Sequence, residues 1–138
     1  SDALKSEGAL VGVHCCGNTD WSIFTEIDSI DIINFDAFGF MEKFFIYSED
    51  LKKYLHRGGM LCWGLVPTQD YNEYLDADSL LVKLEFGIET LAKKGISREL
   101  ILQNLILSPS CGLGTLDEKK AQGIFKLLID CGTKIKSW

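Results

Sequence analysis

Four short runs of apolar residues recur along the chain. They are rich in Val, Ile, Leu and aromatic side chains, and they cover residues 9–15, 30–38, 60–66 and 104–110. Each run is close to continuous rather than strictly alternating, which is typical of strands that are buried on both faces. The pattern therefore predicts four β-strands of a parallel sheet.

Helical signals separate the four predicted strands. Thr19 is expected to cap a first helix, and Ser48 is expected to open a second helix that stops at Gly58 and Gly59. Residues 97–103 are expected to form one further short helix immediately before the last strand. Every pair of successive strands thus has a helical connection between them.

Two longer helices carry apolar stripes at helical spacing. The earlier of these two helices ends at Gly95, and its stripe consists of Leu80, Leu84, Ile88 and Leu91. The second is expected to begin at a capping box formed by Thr115 and Glu118 and to run until Gly132. Its apolar face is expected to consist of Ala121, Ile124, Phe125, Leu128 and Ile129.

These elements alternate as (βα)₄, and residues 1–138 are long enough for a single domain. The strands should be parallel because each crossover is helical and long enough to return to the same end of the sheet. Two α/β architectures remain open from the pattern alone. One is a small open sheet, and the other is half of a (βα)₈ barrel, which typically needs about 250 residues.

The charge balance limits the classes of partner. The chain has 14 Lys and Arg residues against 20 Asp and Glu residues, which gives a net charge of −6. No basic stripe is available to neutralise a phosphate backbone, so we expect no nucleic-acid partner. No apolar run approaches the length of a membrane span, and no signal peptide is expected.

Five cysteines are scattered through apolar segments of the chain. A secreted disulfide framework would favour an even number of cysteines in a loop-rich chain. The sequence therefore indicates a reducing, cytoplasmic compartment.

Polar and thiol side chains follow the predicted strands, where parallel α/β folds gather their reactive groups. Strand alternation places His14 and Cys16 on one face and Cys15 on the other. Cys111 arrives from the end of the last strand, which completes an N/S/S set suited to tetrahedral Zn²⁺. The fourth position would be open or held by Asp36. The glycines after Cys16 and Cys111 are expected to let each loop turn sharply.

The residue types alone leave other interpretations of the proposed zinc ligands open. His14 can be a hydrogen-bonded core histidine, and the cysteines can be small buried apolar residues. A disulfide between the adjacent Cys15 and Cys16 is less favoured because it strains the intervening peptide. Asn18 is expected either to hydrogen-bond a substrate or to belong to the turn before Thr19.

Three segments carry a resemblance to a known superfamily. Residues 13–21 (VHCCGNTDW) resemble the H-x-C-G-[ND] segment of a group that comprises cobalamin-independent methionine synthases, corrinoid:coenzyme M methyltransferases and uroporphyrinogen decarboxylases. Residues 63–68 (WGLVPT) are similar to a strand end of the same barrel, and residues 108–115 (SPSCGLGT) to its closing [NS]-P-x-C-G-L motif. The motifs follow the order of the family and span essentially the whole chain.

The resemblance implies a metal, a fold and a reaction. His14, Cys16 and Cys111 match the zinc ligands of the family, and Asp36 is the carboxylate nearest to the position of the synthases' glutamate. Two metal thiolates favour the methyltransferase branch over the decarboxylases. The implied fold is the C-terminal half of a (β/α)₈ barrel. The implied reaction is zinc-dependent methylation of a small thiol, with a folate or a methyl-corrinoid protein as the methyl donor.

Rival function classes and one assembly prediction accompany this interpretation. The chain can instead be a non-catalytic half-barrel that binds metal, corrinoid or a thiol, a purely structural half-barrel with a vestigial site, or a uroporphyrinogen decarboxylase-like protein. As half of a barrel it should be a poor enzyme in isolation and should pair with the N-terminal half or form a homodimer. Strand alternation is expected to turn some of the apolar strand residues toward the uncovered inner face, among Val11, Val13, Ile33, Leu61 and Ile106.

Overall fold

Strands and helices alternate along residues 2–138, the part of the chain that the computed structural model describes. The four strands are β1 (Gly12–Cys15), β2 (Ile32–Phe35), β3 (Met60–Val66) and β4 (Leu105–Pro109). All neighbouring strands pair in parallel, in the order β1-β2-β3-β4. The predicted parallel sheet is confirmed, and three of its four strands are shorter than the apolar runs that predicted them.

The helices of the described residues lie before, between and after these strands. They are α1 (Asp2–Ser6), α2 (Ser22–Thr25), α3 (Met41–Phe44), α4 (Ser48–His56), α5 (Ala77–Lys93), α6 (Arg98–Gln103) and α7 (Glu118–Lys134). Single 3₁₀ turns cover residues 45–47 and 135–137. Within residues 2–138, no helix has both the length and the apolar content needed to cross a membrane.

One face of the sheet packs against the helices and forms the core. Its central side chains are fully buried, namely Ile33, Phe35, Leu61 and Trp63. The predicted stripe of α5 is confirmed on the other side of this layer, because Leu80, Leu84, Ile88 and Leu91 are all buried in the same apolar cluster. The apolar stripe of α5 and the alternate apolar residues of the strands therefore pack together in one core.

The opposite face of the sheet has a different composition. The register places Gly12 beside Ile32 and Ile32 beside Met60, which forms an apolar row near the start of the strands. Two residues further on, a second row begins with the polar residues His14 and Asn34 and continues to Cys62 and Ile106. An all-parallel sheet with helices on one face and this partly polar second face is consistent with a half-barrel.

The structure shows which of the five apolar strand residues turn inward. Ile33 and Leu61 are fully buried on the helical face, and Val13 also packs against that core. Ile106 lies on the inner face, because it pairs with Cys62 in the row that contains His14.

Ile32 and Met60, whose parity is opposite to that of the buried residues, also lie on the inner face and are only partly buried. The sequence could not select these residues, because a continuous apolar run does not reveal which parity faces the helices.

The apolar face predicted for α7 is also partly wrong. Phe125 and Ile129 are 53% and 66% exposed, whereas Ile124, Leu127 and Cys131 are buried. The buried residues follow the spacing i, i+3, i+7, so they too form a helical stripe. α7 has enough apolar residues for two overlapping stripes, and only contact with β3, β4 and α5 selects one of them.

Two predicted helix caps differ from those in the structure. Thr19 does not cap α2, because α2 begins at Ser22 and Asp20 accepts the hydrogen bond from the Ser22 backbone N–H. Thr115 does not cap α7 either, since Asp117 occupies the N-cap and accepts from the backbone N–H of Lys120. α4 does begin at Ser48, as predicted.

Candidate metal centre

The candidate metal centre lies where the two edge strands of the sheet end. β1 and β4 are separated by three strand spacings, which would place them about 14 Å apart in a flat sheet. Nevertheless, one ligand atom each of His14, Cys16 and Cys111 lies within 4.8 Å of the other two. The sheet and the loops after it therefore curl toward the face that carries His14, which brings the predicted N/S/S set together.

His14 is oriented by the neighbouring strand. Its Nδ1 atom lies 2.5 Å from the side-chain oxygen Oδ1 of Asn34, which is the residue directly beside it in β2. The amide nitrogen of Asn34 in turn donates to the backbone oxygen of Cys62 and to the hydroxyl oxygen of Ser108, both at 2.9 Å. The imidazole at the edge of the sheet is thereby tied to all three other strands.

Cys111 is held by buried hydrogen bonds at the end of β4. The backbone N–H of Ser110 donates to the carbonyl oxygen of Val66 at 2.8 Å, and the N–H of Thr68 donates to Ser110 Oγ at 3.2 Å. Thr68 and Ser110 are 1% and 5% exposed, so these bonds are shielded from water. They fix the backbone immediately before Cys111.

The electrostatic surroundings of Cys111 favour its neutral thiol in the metal-free chain. Burial raises the pKa of Cys111, and so does the adjacent Cys16 thiol, with a smaller contribution from the charge of Asp36. A thiolate at Cys111 consequently needs a positive charge nearby. A bound cation would supply that charge.

The two thiols at the end of β1 point to opposite sides of the sheet, as predicted. Cys16 is exposed and belongs to the convergent group, whereas Cys15 is half-buried and packs against the core. The Sγ atom of Cys15 lies 3.7 Å from the carbonyl oxygen of Gly17. All five cysteines are free thiols, so the adjacent pair is not a disulfide.

Asp36 and Asn18 lie outside the convergent group. An oxygen of Asp36 accepts a hydrogen bond from the backbone N–H of Gly39 at 2.8 Å, which closes the turn after β2. Asp36 is close enough for its charge to affect Cys111, but none of its oxygens belongs to the group within 4.8 Å. Asn18 is an exposed residue of the loop after β1. Their predicted catalytic roles stay predictions.

Sequence reasoning missed the residues that support the three candidate ligands. Ser108 contacts Asn34, and the buried pair of Thr68 and Ser110 holds the end of β4. Ser108 has the strand parity of the inner face, as His14 and Asn34 do, so alternation together with the pairing register would have found it. The contact between Thr68 and Ser110 had no comparable signal, because it follows an irregularity in the pairing of β3 and β4.

In comparisons with known proteins, no protein-family model, curated protein or solved structure matches the chain.

Proposed function

We propose that this chain forms the zinc-binding part of a methyltransferase that activates a small thiol. The observation that carries the proposal is the convergence of one imidazole nitrogen and two thiol sulfurs, from His14, Cys16 and Cys111, within 4.8 Å. The sequence resemblance to zinc-dependent methyltransferases supports the reaction class, and its three implied ligands are these same residues.

The donor set suits Zn²⁺ in number, type and spacing. Two sulfurs bound at 2.3 Å in a tetrahedral site lie about 3.8 Å apart, so the three side chains need to close by only about 1 Å. One nitrogen and two sulfurs leave one position of a tetrahedral site free, which is typical of catalytic rather than structural zinc. A zinc ion held in this way would bind the substrate thiol as a nucleophilic thiolate.

The side chains of the site divide the remaining tasks. His14 and Cys16 are exposed, so the site is open to a substrate on that side. Asp36 has one oxygen engaged by Gly39, and its second oxygen would accept the proton that the substrate thiol loses. The amide of Asn18, in the exposed loop after β1, would donate a hydrogen bond to the substrate.

The methyl donor would be a folate or a methyl-corrinoid protein, as the resemblance implies. The net charge of −6 and the five free cysteines accord with a small-molecule site in a reducing, cytoplasmic environment. Two metal thiolates argue against the alternative of a uroporphyrinogen decarboxylase-like protein.

A second candidate function is metal, corrinoid or thiol binding without turnover. The exposure of His14 and Cys16 favours it, because catalytic methyl transfer generally needs a site that excludes water. The methyltransferase and the metal-binding form of the second candidate both require the metal, so metal binding is tested first and the fate of a bound thiol second.

Zinc content tests the proposed ligand set. We expect the wild-type chain, loaded with Zn²⁺ and dialysed, to retain one zinc ion, and Cys16→Ser and Cys111→Ser to retain almost none by elemental analysis. Cys15→Ser is the matched control, since its thiol lies on the other face of the same strand, and it should keep the metal. Full zinc retention by Cys111→Ser would contradict the proposal.

Thiol binding is tested on the Co²⁺-substituted chain. Adding a small thiol such as homocysteine should increase the sulfur-to-cobalt charge-transfer absorbance, because a third sulfur joins those of Cys16 and Cys111. Homoserine, which carries a hydroxyl in place of the thiol of homocysteine, should leave the spectrum unchanged. An unchanged spectrum with millimolar thiol would exclude thiol activation. If a thiol binds, methyl transfer to it separates the enzyme from the binding domain.

A further inference from the structure

A chain of hydrogen bonds lies behind His14 on the inner face of the sheet. Ser108 Oγ lies 3.0 Å from the carbonyl oxygen of Pro109, to which it donates. Asn34 Nδ2 lies 2.9 Å from Ser108 Oγ and 2.9 Å from the carbonyl oxygen of Cys62. The last link joins Asn34 Oδ1 to Nδ1 of His14 at 2.5 Å. Each of the four strands contributes one or two groups.

The direction of every bond in this chain follows from its ends. A carbonyl oxygen can only accept a hydrogen bond, so the atom of Asn34 that faces the backbone oxygen of Cys62 must be the amide nitrogen, which donates one proton. The hydroxyl of Ser108 donates its proton to the carbonyl oxygen of Pro109. Ser108 Oγ therefore accepts the second amide proton of Asn34. With both N–H groups of Asn34 engaged, the atom that faces His14 must be the oxygen. An amide oxygen is an acceptor only, which requires a proton on Nδ1 of His14.

We infer that Asn34 is a positioning residue that holds His14 as the Nδ1–H tautomer and so leaves Nε2 as the metal-binding atom. A neutral imidazole has one protonated nitrogen, and metal binds the other. Metal-binding histidines generally donate their remaining N–H to a fixed acceptor, and loss of that acceptor typically weakens metal binding about 10- to 100-fold. The inference about the metal rests on the proposed function, whereas the tautomer is a property of the metal-free chain.

The tautomer is measurable without metal. The chain has two histidines, so ¹⁵N-detected imidazole spectra contain two sets of signals, and His56→Gln identifies which belongs to His14. At a pH well above the ordinary histidine pKa of about 6.5, wild-type His14 should be protonated on Nδ1. Asn34→Leu should shift it mainly to the Nε2–H tautomer, which a solvated imidazole favours.

Two further variants distinguish positioning from general structure. Asn34→Asp retains an oxygen that accepts from His14, so it should keep the Nδ1–H tautomer. Asn72→Leu removes an exposed loop amide that accepts only from the backbone of Tyr74, and it should change nothing. Should Asn34→Leu fail to fold, Asn34→Ala makes the same test because it also removes the acceptor.

Zinc affinity, measured by competition with a chromophoric chelator, completes the experiment. Asn34→Leu should bind zinc about 10- to 100-fold more weakly than wild type, and Asn34→Asp should lie closer to wild type. An Nδ1–H tautomer that persists in Asn34→Leu overturns the inference, as does unchanged zinc affinity in that variant. Absence of zinc binding in the wild type would overturn the proposed function instead, and the tautomer spectra would still decide the role of Asn34.

Discussion

Gly64 lies where β3 passes close to the backbone of both neighbouring strands. A Cβ atom at this position would be 2.7 Å from the carbonyl oxygen of Phe35 and 2.8 Å from the Cα atom of Ser110. Both are backbone atoms, which cannot rotate away as a flexible side chain can. Because Ser110 immediately precedes Cys111, the missing side chain of Gly64 allows the end of β4 to lie against the sheet at the candidate metal centre.

We expect Gly64→Ala to destabilise the fold and to weaken zinc binding together. Overpacking of this kind typically costs about 1–3 kcal/mol of unfolding free energy. Gly17→Ala is the matched control, since Gly17 follows Cys16, has no atom within 4 Å of an added Cβ and lacks a positive φ. Denaturant unfolding and zinc titration measure both effects. Equal stability of Gly64→Ala and wild type would contradict this account.

The glycines that the sequence singled out have a smaller role. Gly17 and Gly112 follow the two candidate ligand cysteines, and both were expected to permit sharp turns. Neither has a positive φ, and neither is crowded, so an alanine would fit at each position. The convergence of the three candidate ligands, His14, Cys16 and Cys111, was predictable from strand parity and from the motifs. The residue that allows the close approach, Gly64, depends on the irregular pairing of β3 with β4, which no local pattern encodes.

Helix termini show why element boundaries are harder to predict than elements. α5 and α7 both begin after an aspartate, Asp76 and Asp117, whose side chain accepts from a backbone N–H three residues later. Before α7 the sequence predicted Thr115 as the N-cap, whereas the structure uses Asp117, a residue type that favours this position more strongly than threonine. The short α6 had one good N-cap, Ser97, and its start was predicted to within one residue.

A further contact between elements comes from Arg57 at the end of α4. Its guanidinium donates to the carbonyl oxygens of Ile27 at 2.7 Å and Asp28 at 3.1 Å, in the loop after α2. It also lies over the ring of Tyr54, 4.8 Å from the centroid. A side chain at the end of one helix thus donates to carbonyl oxygens in the loop that follows another, one-turn helix.

Arg57→Ala should lower the unfolding free energy by about 1–2 kcal/mol, because the carbonyl oxygens lose a charged donor and the Tyr54 ring loses its cation. Arg57→Lys should recover only part of this loss, since an ammonium cannot span the same carbonyls in one plane. Lys53→Ala, an exposed residue on the same helix, serves as the control for removing one positive charge. Urea unfolding curves provide the comparison, and a loss equal to that of Lys53→Ala would refute the bridging role.

At the scale of the whole chain, the sequence predicted the parallel sheet but did not decide which face of each strand meets the helices. Three helical crossovers of adequate length favour parallel pairing, and the strands pair in the order β1-β2-β3-β4. The strand parity in contact with the helices is decided by tertiary packing alone. Leu61 is therefore buried under helices, whereas its neighbour Met60 lies on the other face. The identity of the fold as half of a barrel stays a prediction.

The contact surface of the expected homodimer depends on which residues lie on the inner face of the sheet. The inner face has an apolar row near the start of the strands, formed by Gly12, Ile32 and Met60, and a polar row near their ends that includes His14 and Asn34. Two copies that pair through the apolar row would cover Ile32 and Met60 and leave the candidate metal centre open.

We therefore predict a dimer in solution that buries on the order of 2,000 Å² in total, with Ile32 and Met60 in the interface. Light scattering should give twice the mass of the chain at micromolar concentration. Ile32→Lys should yield monomers, because it places a charge on the apolar row. Zinc binding should persist, since Ile32 lies two residues before Asn34, in the row nearer the start of the strands. Val82→Lys, a change of the same kind on an exposed residue of α5, should leave the dimer intact. A wild-type chain that stays monomeric would show that the inner face needs no partner, and the half-barrel interpretation would lose its main consequence.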